Sequence, residues 1–386
     1  MIYFDNAATT KVDEEVIADI VEALKNDWAN PSSISSQGIV GRQKVEHARK
    51  QIADYINADP EEIIFVASGS EANNLAIRGF LDANPEYSVV PHSMIEHPSV
   101  VNTCNLIAEL SLKTKKYLLP FVDVDMQGLI NMDTLKYWLS EYKSKCLVSI
   151  MMGNNEIGTV QDIKRISQLV HNYNGVFHTD AVQAFGQIPI DVKEMGIDMM
   201  SVSGHKFGCP KGVGFLYKRK DIEIYPLING GSQEMNLRAG TENVPYIIAM
   251  GNQVERMSKR EYPNSILANY LYEKICYEIG YDFDVWLNGS IKNRLPNNLS
   301  LTFPGVNAEA LITLLDMKGV QVSAGSACCA GDKEPSRVLK AIGLSDEEAF
   351  STIRISLGKD TTKEECDEFV RILGECLESL KMVGGE

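Results

Sequence analysis

Apolar positions along the chain fall into two alternating rhythms. Residues 2–4 read as a short strand, and after Asp13 the positions Val16, Ile17, Ile20, Val21 and Leu24 return at helical spacing, with Asp13 as the expected cap. The turn Asn30-Pro31-Ser32-Ser33 separates this helix from a second, expected over about 40–56, which leads to a strand at 63–67. Strands near 87–90, 117–122, 146–152 and 176–178 then alternate with helices starting at Pro98 and Met132. This order predicts an α/β fold, a mainly parallel sheet with helices on both faces. In such sheets ligands sit outside the carboxyl ends of the strands. Polar groups collect at those ends: Glu96-His97, Asn154-Asn155-Glu156, and Asp180 with Gln183. Each alone could be a satisfied histidine, a turn or a helix cap; their common topological position points to a site.

Five further stretches carry candidate chemistry. Ser201–Tyr217 ends an apolar run in Ser203-Gly204-His205-Lys206, and Gly208, Pro210, Gly212 and Gly214 return the chain as a second strand. A lysine held at such a turn is a candidate for Schiff-base chemistry, although most lysines beside turns are solvated charges. Ser68-Gly69-Ser70-Glu71-Ala72-Asn73-Asn74 is a strand-to-helix junction, either a phosphate site built on free N–H groups or a plain helix start capped by Ser70. It is neither a Walker loop nor a GxGxxG fingerprint. Gly230-Gly231-Ser232-Gln233-Glu234 leads into Arg238-Ala239-Gly240-Thr241, and a helix from about 244 to 259 connects to a second region. There Ser323–Gly331 is a run of small residues holding Cys328-Cys329, and Arg354 is a charge inside an otherwise apolar strand at 352–357. A reactive thiol needs exposure and electropositive neighbours. A charge in an apolar strand pairs with an acid or grips a carboxylate.

Composition narrows the class. With 386 residues, 44% hydrophobic and 23% charged, the chain can bury a large core, as two domains or one domain with an appendage. A net charge of −15 argues against direct binding to nucleic acid. The start lacks the basic and apolar regions of a leader and no run has membrane-spanning length, so a cytoplasmic location is expected. The eight cysteines show neither a CxxC pair nor a disulfide spacing, and no metal site is expected.

Taken together the chain resembles the NifS/IscS-type cysteine desulfurases, fold-type I pyridoxal-phosphate enzymes related to class V aminotransferases. The resemblance runs through DNAATT at 5–10, NPSS at 30–33, SGSEANN at 68–74, EHPSV at 96–100, NNEIG at 154–158, HTDAVQ at 178–183, SGHK at 203–206, LRAGTENV at 237–244, RLPNNLS at 294–300, GSAC at 325–328, EPSRVL at 334–339 and IRISLG at 353–358. It implies a large domain over 13–258 with a seven-stranded sheet, and a smaller α+β domain from 1–12 and 259–386 that carries the cysteine. It also implies pyridoxal 5'-phosphate held by Lys206 through its aldehyde, by His97 stacked on the ring, by Asp180 at the ring nitrogen and by Gln183 at the phenolic oxygen. The phosphate would meet Gly69, Ser70, Ser203, His205 and, from the partner subunit of a homodimer, Thr241. Asn155 and Arg354 would grip the carboxylate of L-cysteine, and Cys328 would take its sulfur as a persulfide. An acceptor protein, an iron–sulfur scaffold or a tRNA-thiolation protein, would receive it.

Several positions depart from the family pattern: Ser35 for histidine, Cys209 and Asn236 for glycines, and the phosphate loop read as ASGSE. Asn236 can adopt positive φ as glycine does. Cys209 implies a shifted turn. Cys329 is either a bystander or a second persulfide acceptor. Two other functions stay open at this level: a selenocysteine lyase, and a catalytically silent homologue acting as a scaffold partner.

Overall fold

In the computed structural model, which describes residues 1–111, 116–143, 145–261, 265–325 and 334–383, the alternating segments assemble into a seven-stranded sheet. Its strand order is Ile63–Val66, Gly214–Lys218, Met199–Ser203, Val176–Asp180, Leu147–Ser149, His92–Ser93 and Phe121–Val122. The last five run parallel, and Gly214–Lys218 runs antiparallel to both of its neighbours. Most of these strands are buried along their whole length, which is why they read as apolar runs rather than alternations.

The edge of the sheet is more broken than the expected strands at 87–90 and 117–122. Pro91 and Pro120 have no N–H to give to a ladder, so only the bridges of Val89 to Leu118 and Cys146 precede the two-residue strands. The ladder still continues around them, His92 N–H donating to the Pro120 carbonyl and Ser149 N–H to the Pro91 carbonyl.

Three helix starts differ from the sequence reading. Ser68, not Ser70, caps the helix that begins at Gly69, its Oγ accepting the Glu71 N–H at 3.1 Å. Asp13 precedes the helix Glu14–Asn26 but makes no side-chain cap; its carboxylate is drawn away to Gln253 Nε2 and Lys359 Nζ. The helix Ser36–Ile56 starts four residues before the expected position because Ser35 caps it, accepting the Gly38 N–H. On Glu14–Asn26 only Val16 and Ala23 are buried, while Ile17, Val21 and Leu24 face outward.

A four-stranded antiparallel sheet, Ser323–Ala324, Thr352–Ser356, Asn298–Thr302 and Trp286–Leu287, forms a second layer with the helices Ile266–Glu278, Ala308–Met317 and Lys363–Val383. Its core also takes in Ile2 and Phe4 from the opposite end of the chain, because Ile2–Tyr3 pairs with Val320–Gln321. Val338, Leu339 and Ile342, close in sequence to that layer, pack instead against Ile95, Met151 and Ile157 beside the large sheet. No helix among the described residues is long and apolar enough to cross a membrane.

One buried ion pair fastens the glycine-rich loop to the large sheet. Arg49 donates to both carboxylate oxygens of Glu234, at 2.8 and 3.0 Å, and Glu234 also accepts the Phe65 N–H. Both side chains are almost wholly buried. Glu234→Ala leaves the guanidinium only Glu46 and the Ile63 carbonyl and is expected to cost about 3 kcal/mol, read as a lowered denaturant midpoint; a loss under about 1 kcal/mol would show that these and water repair the gap.

Candidate active site

The turn between Met199–Ser203 and Gly214–Lys218 delivers Lys206 at the carboxyl end of the sheet. It closes through Cys209 N–H to the Gly204 carbonyl and Gly204 N–H to the Val213 carbonyl, with Gly208 and Gly212 at φ +90° and +92°. Cys209 does not open this turn. Its side chain is fully buried against Gly204, where a Cβ would come within 3.0 Å of the Cys209 Cβ. Burial pushes the Cys209 thiol well up, so it is an inert filler.

Lys206 Nζ donates to the carbonyls of Ala7 and Ala8 at 2.7 and 2.8 Å. Gln183 Nε2 shares the Ala7 carbonyl at 2.9 Å. The small residues of DNAATT thus bring main chain directly to the amine. His205 is held by Thr9, its Nδ1 lying 3.1 Å from Thr9 Oγ1. Burial, with the charges of Lys206 and Lys211, takes this imidazole down to about 4, so it is neutral near pH 7.

Asp180 and His97 are joined by a short relay. Asn73 Nδ2 donates to Asp180 Oδ2 at 2.7 Å and to Ser99 Oγ at 2.8 Å, and Ser99 Oγ lies 2.7 Å from His97 Nδ1. The Ser99 N–H also donates to that nitrogen. An amide N–H can only donate, so Nδ1 is an acceptor and the neutral ring carries its proton on Nε2. Burial holds the His97 imidazole below its ordinary value; Asp180 opposes this, and Lys206 and Arg337 reinforce it. Asp180 is 4% exposed and accepts a second bond from Val182 N–H.

Gly69 packs so closely that a Cβ there would meet Val182 and Ser203 at 2.7 and 3.3 Å. Its N–H and that of Ser70 lie at a helix end, where no internal acceptor exists for them. Across the site Arg354, 1% exposed, donates to Asp5 Oδ1 at 2.8 Å and to the carbonyls of Asn155 and Gly325, both at 3.1 Å. Its Nε has no partner among the described residues. Thr241 is exposed, on a loop tied to the same helix by Arg238 and Glu71. Asn236 does take a positive φ, 67°, in a row with Glu234 and Met235. Cys328 and Cys329 lie outside the described residues.

Asn73, Ser99, Asp5 and Arg337 lie in the motifs quoted above, but their tasks become visible only in the fold. Their signal is contextual: each is a polar side chain whose partner is distant in sequence.

The aminotransferase class-V family model matches residues 2–369. The chain belongs to that family. A cysteine desulfurase IscS of Dictyoglomus turgidum is 42% identical over 387 residues, covering 99% of this chain and 96% of the relative. Among solved structures, a NifS-like protein superposes with a TM-score of 0.88 at 32% identity, covering 98% of this chain and all of the other. SspA, solved in complex with cysteine, gives 0.79 at 35% identity, with 92% and 99% covered. The expected fold type and its cofactor, pyridoxal 5'-phosphate, follow from membership. The residues fit that group: a buried carboxylate held by the neutral donors Asn73 Nδ2 and Val182 N–H suits a protonated ring nitrogen, and the helix end beside Gly69 suits a phosphate.

Glu96 supplies a pH-dependent test of the site's support. Its carboxyl is fully buried, accepts from Ser93 Oγ and the Met151 N–H, and leaves Oε2 without a partner among the described residues. Burial, aided by the Asp180 charge, raises it from its ordinary 4.5 to about 8. A raised acid binds more protons folded than unfolded, so between 4.5 and about 8 its contribution to stability falls as pH rises. Glu96→Gln is expected to melt progressively higher than wild type across that window; a constant difference in melting temperature would refute the shift.

Proposed function

We propose that the protein is a pyridoxal-phosphate-dependent cysteine desulfurase, converting L-cysteine to L-alanine and loading the sulfur on Cys328. The observation that carries this reading is the relay from buried Asp180 through Asn73 and Ser99 to a neutral His97, beside the Lys206 amine. In this reading Lys206, His97, Asp180 and Gln183 hold the cofactor ring, and Gly69, Ser70, Ser203 and His205 hold its phosphate. Residues 13–258 form the cofactor-binding unit, and 1–12 with 259–386 the unit bearing the cysteine. Thr241 completes the phosphate site of a partner subunit in a homodimer.

When bound, the cofactor draws electrons away from the α-carbon of the amino acid it carries. The substrate carboxylate meets Arg354, whose Nε, without a partner among the described residues, offers a donor, with Asn155 alongside. Lys206 Nζ takes the α-proton, the carbonyls of Ala7 and Ala8 orienting it. His97, neutral, presents a flat ring and adds no competing charge. Cys328 Sγ, as the thiolate, bonds to the substrate sulfur as that sulfur leaves the β-carbon, and the β-carbon keeps the electron pair and takes up a proton. Cysteine and thiol thus become alanine and persulfide without an external oxidant or reductant. A thiolate of an acceptor protein, an iron–sulfur scaffold or a tRNA-thiolation protein in the cytoplasm, then removes the outer sulfur.

The test is release of alanine and sulfide from cysteine in the presence of a thiol reductant. Lys206→Ala and Cys328→Ser are each expected to lose about 10²–10⁴-fold or more. If only Lys206→Ala fails, the carrier role of Cys328 is wrong while the cofactor reading stands; full turnover by Lys206→Ala overturns both.

A further inference from the structure

The segment that follows the cysteine-bearing stretch makes contacts that the proposed chemistry leaves unused. Ser336 caps the short helix Arg337–Ala341, its Oγ accepting the Leu339 N–H at 3.3 Å, and it also donates to Glu156 Oε2. Arg337 reaches into the neighbouring loop, where its two terminal nitrogens donate separately to the main-chain carbonyls of Met94 and Glu96. The second of these carbonyls belongs to the peptide that leads into His97.

This arrangement is rigid from several directions. Ile95, between the two gripped carbonyls, is buried against Val338 and Leu339 of the arginine's own helix and Ile342 at its end. Glu96 is tied to Ser93 and to the main chain at Met151. A planar guanidinium holding alternate carbonyls fixes the orientation of the intervening peptides in a way that a single ammonium cannot. The charge also lies close enough to His97 to favour its neutral form.

We propose that Arg337 is a positioning residue for His97, setting the plane in which that ring meets the cofactor from the segment that ends the cysteine-bearing stretch. The inference rests on the cofactor reading above. It assigns a task to the EPSRVL motif, which that reading left without one.

A double-mutant cycle tests it, with the equilibrium binding of pyridoxal 5'-phosphate and the visible circular dichroism of the bound cofactor as readouts. Arg337→Ala is expected to weaken cofactor binding about tenfold, within the range of coupling between residues that act as a unit, and to change the dichroic band. In a His97→Ala background the same substitution is expected to change binding less than about twofold and to leave the band unaltered. Arg337→Lys, which keeps the charge but not the fork, is expected to fall between wild type and Arg337→Ala, and it replaces Arg337→Ala should that variant fail to fold. Equal losses in the two backgrounds would show general structural support only and overturn the proposal, as would unchanged binding and dichroism in Arg337→Ala. Wild type that takes up the cofactor and turns over cysteine while Arg337→Ala behaves identically removes this inference alone; wild type that binds no cofactor removes the parent reading with it.

Discussion

A positive charge that water barely touches sets the terms for the whole site. Arg354 sits inside the strand Thr352–Ser356, and its guanidinium is held by Asp5 and by the carbonyls of Asn155 and Gly325. An unpaired charge at this depth would cost several kcal/mol. The cost is avoided only while four remote pieces of chain stay assembled: the amino-terminal segment, the loop after the strand Leu147–Ser149, the strand end at Gly325, and the arginine's own strand. The same amino-terminal segment then presents Ala7 and Ala8 to Lys206. Arg354 and Lys206 are thus linked through main chain a few residues long, and neither can be displaced without disturbing the other.

The large sheet contributes direction. Its parallel strands all release their loops on one side, so Asp180, Asn155 and the His97 loop converge without any long excursion. The reversal at Gly214–Lys218 adds what parallel strands cannot, a tight return that holds Lys206 on a turn closed at both ends. The imidazoles of His97 and His205 are driven neutral by burial and nearby cations, while Asp180 accepts from the neutral donors Asn73 Nδ2 and Val182 N–H.

Much of this was legible in the sequence because it depends on local grammar. Apolar runs bounded by Gly, Pro and polar clusters marked the buried strands, and the positions just beyond them marked Lys206, Asp180, His97 and Asn155. Long-range partnerships were not legible. Nothing local distinguishes Asn73 from Asn74 next to it, yet one bridges Asp180 and Ser99 while the other bonds to its own helix. Asp13 has the right position and chemistry for a cap, and loses that role to Gln253 and Lys359, which are brought beside it only by the fold. Periodicity likewise placed Ile17, Val21 and Leu24 on a helix without revealing that they face away from the core.

The pairing of Ile2–Tyr3 with Val320–Gln321, and of Asp5 with Ser356, has a temporal side. During synthesis the first residues emerge more than three hundred positions before the strands that will receive them, and domains fold largely in the order in which they leave the ribosome. The large sheet can therefore condense while its lysine still lacks its main-chain acceptors. The pairing of Ile2–Tyr3 and the ion pair of Asp5 with Arg354 therefore close late, as a stitch across more than three hundred positions.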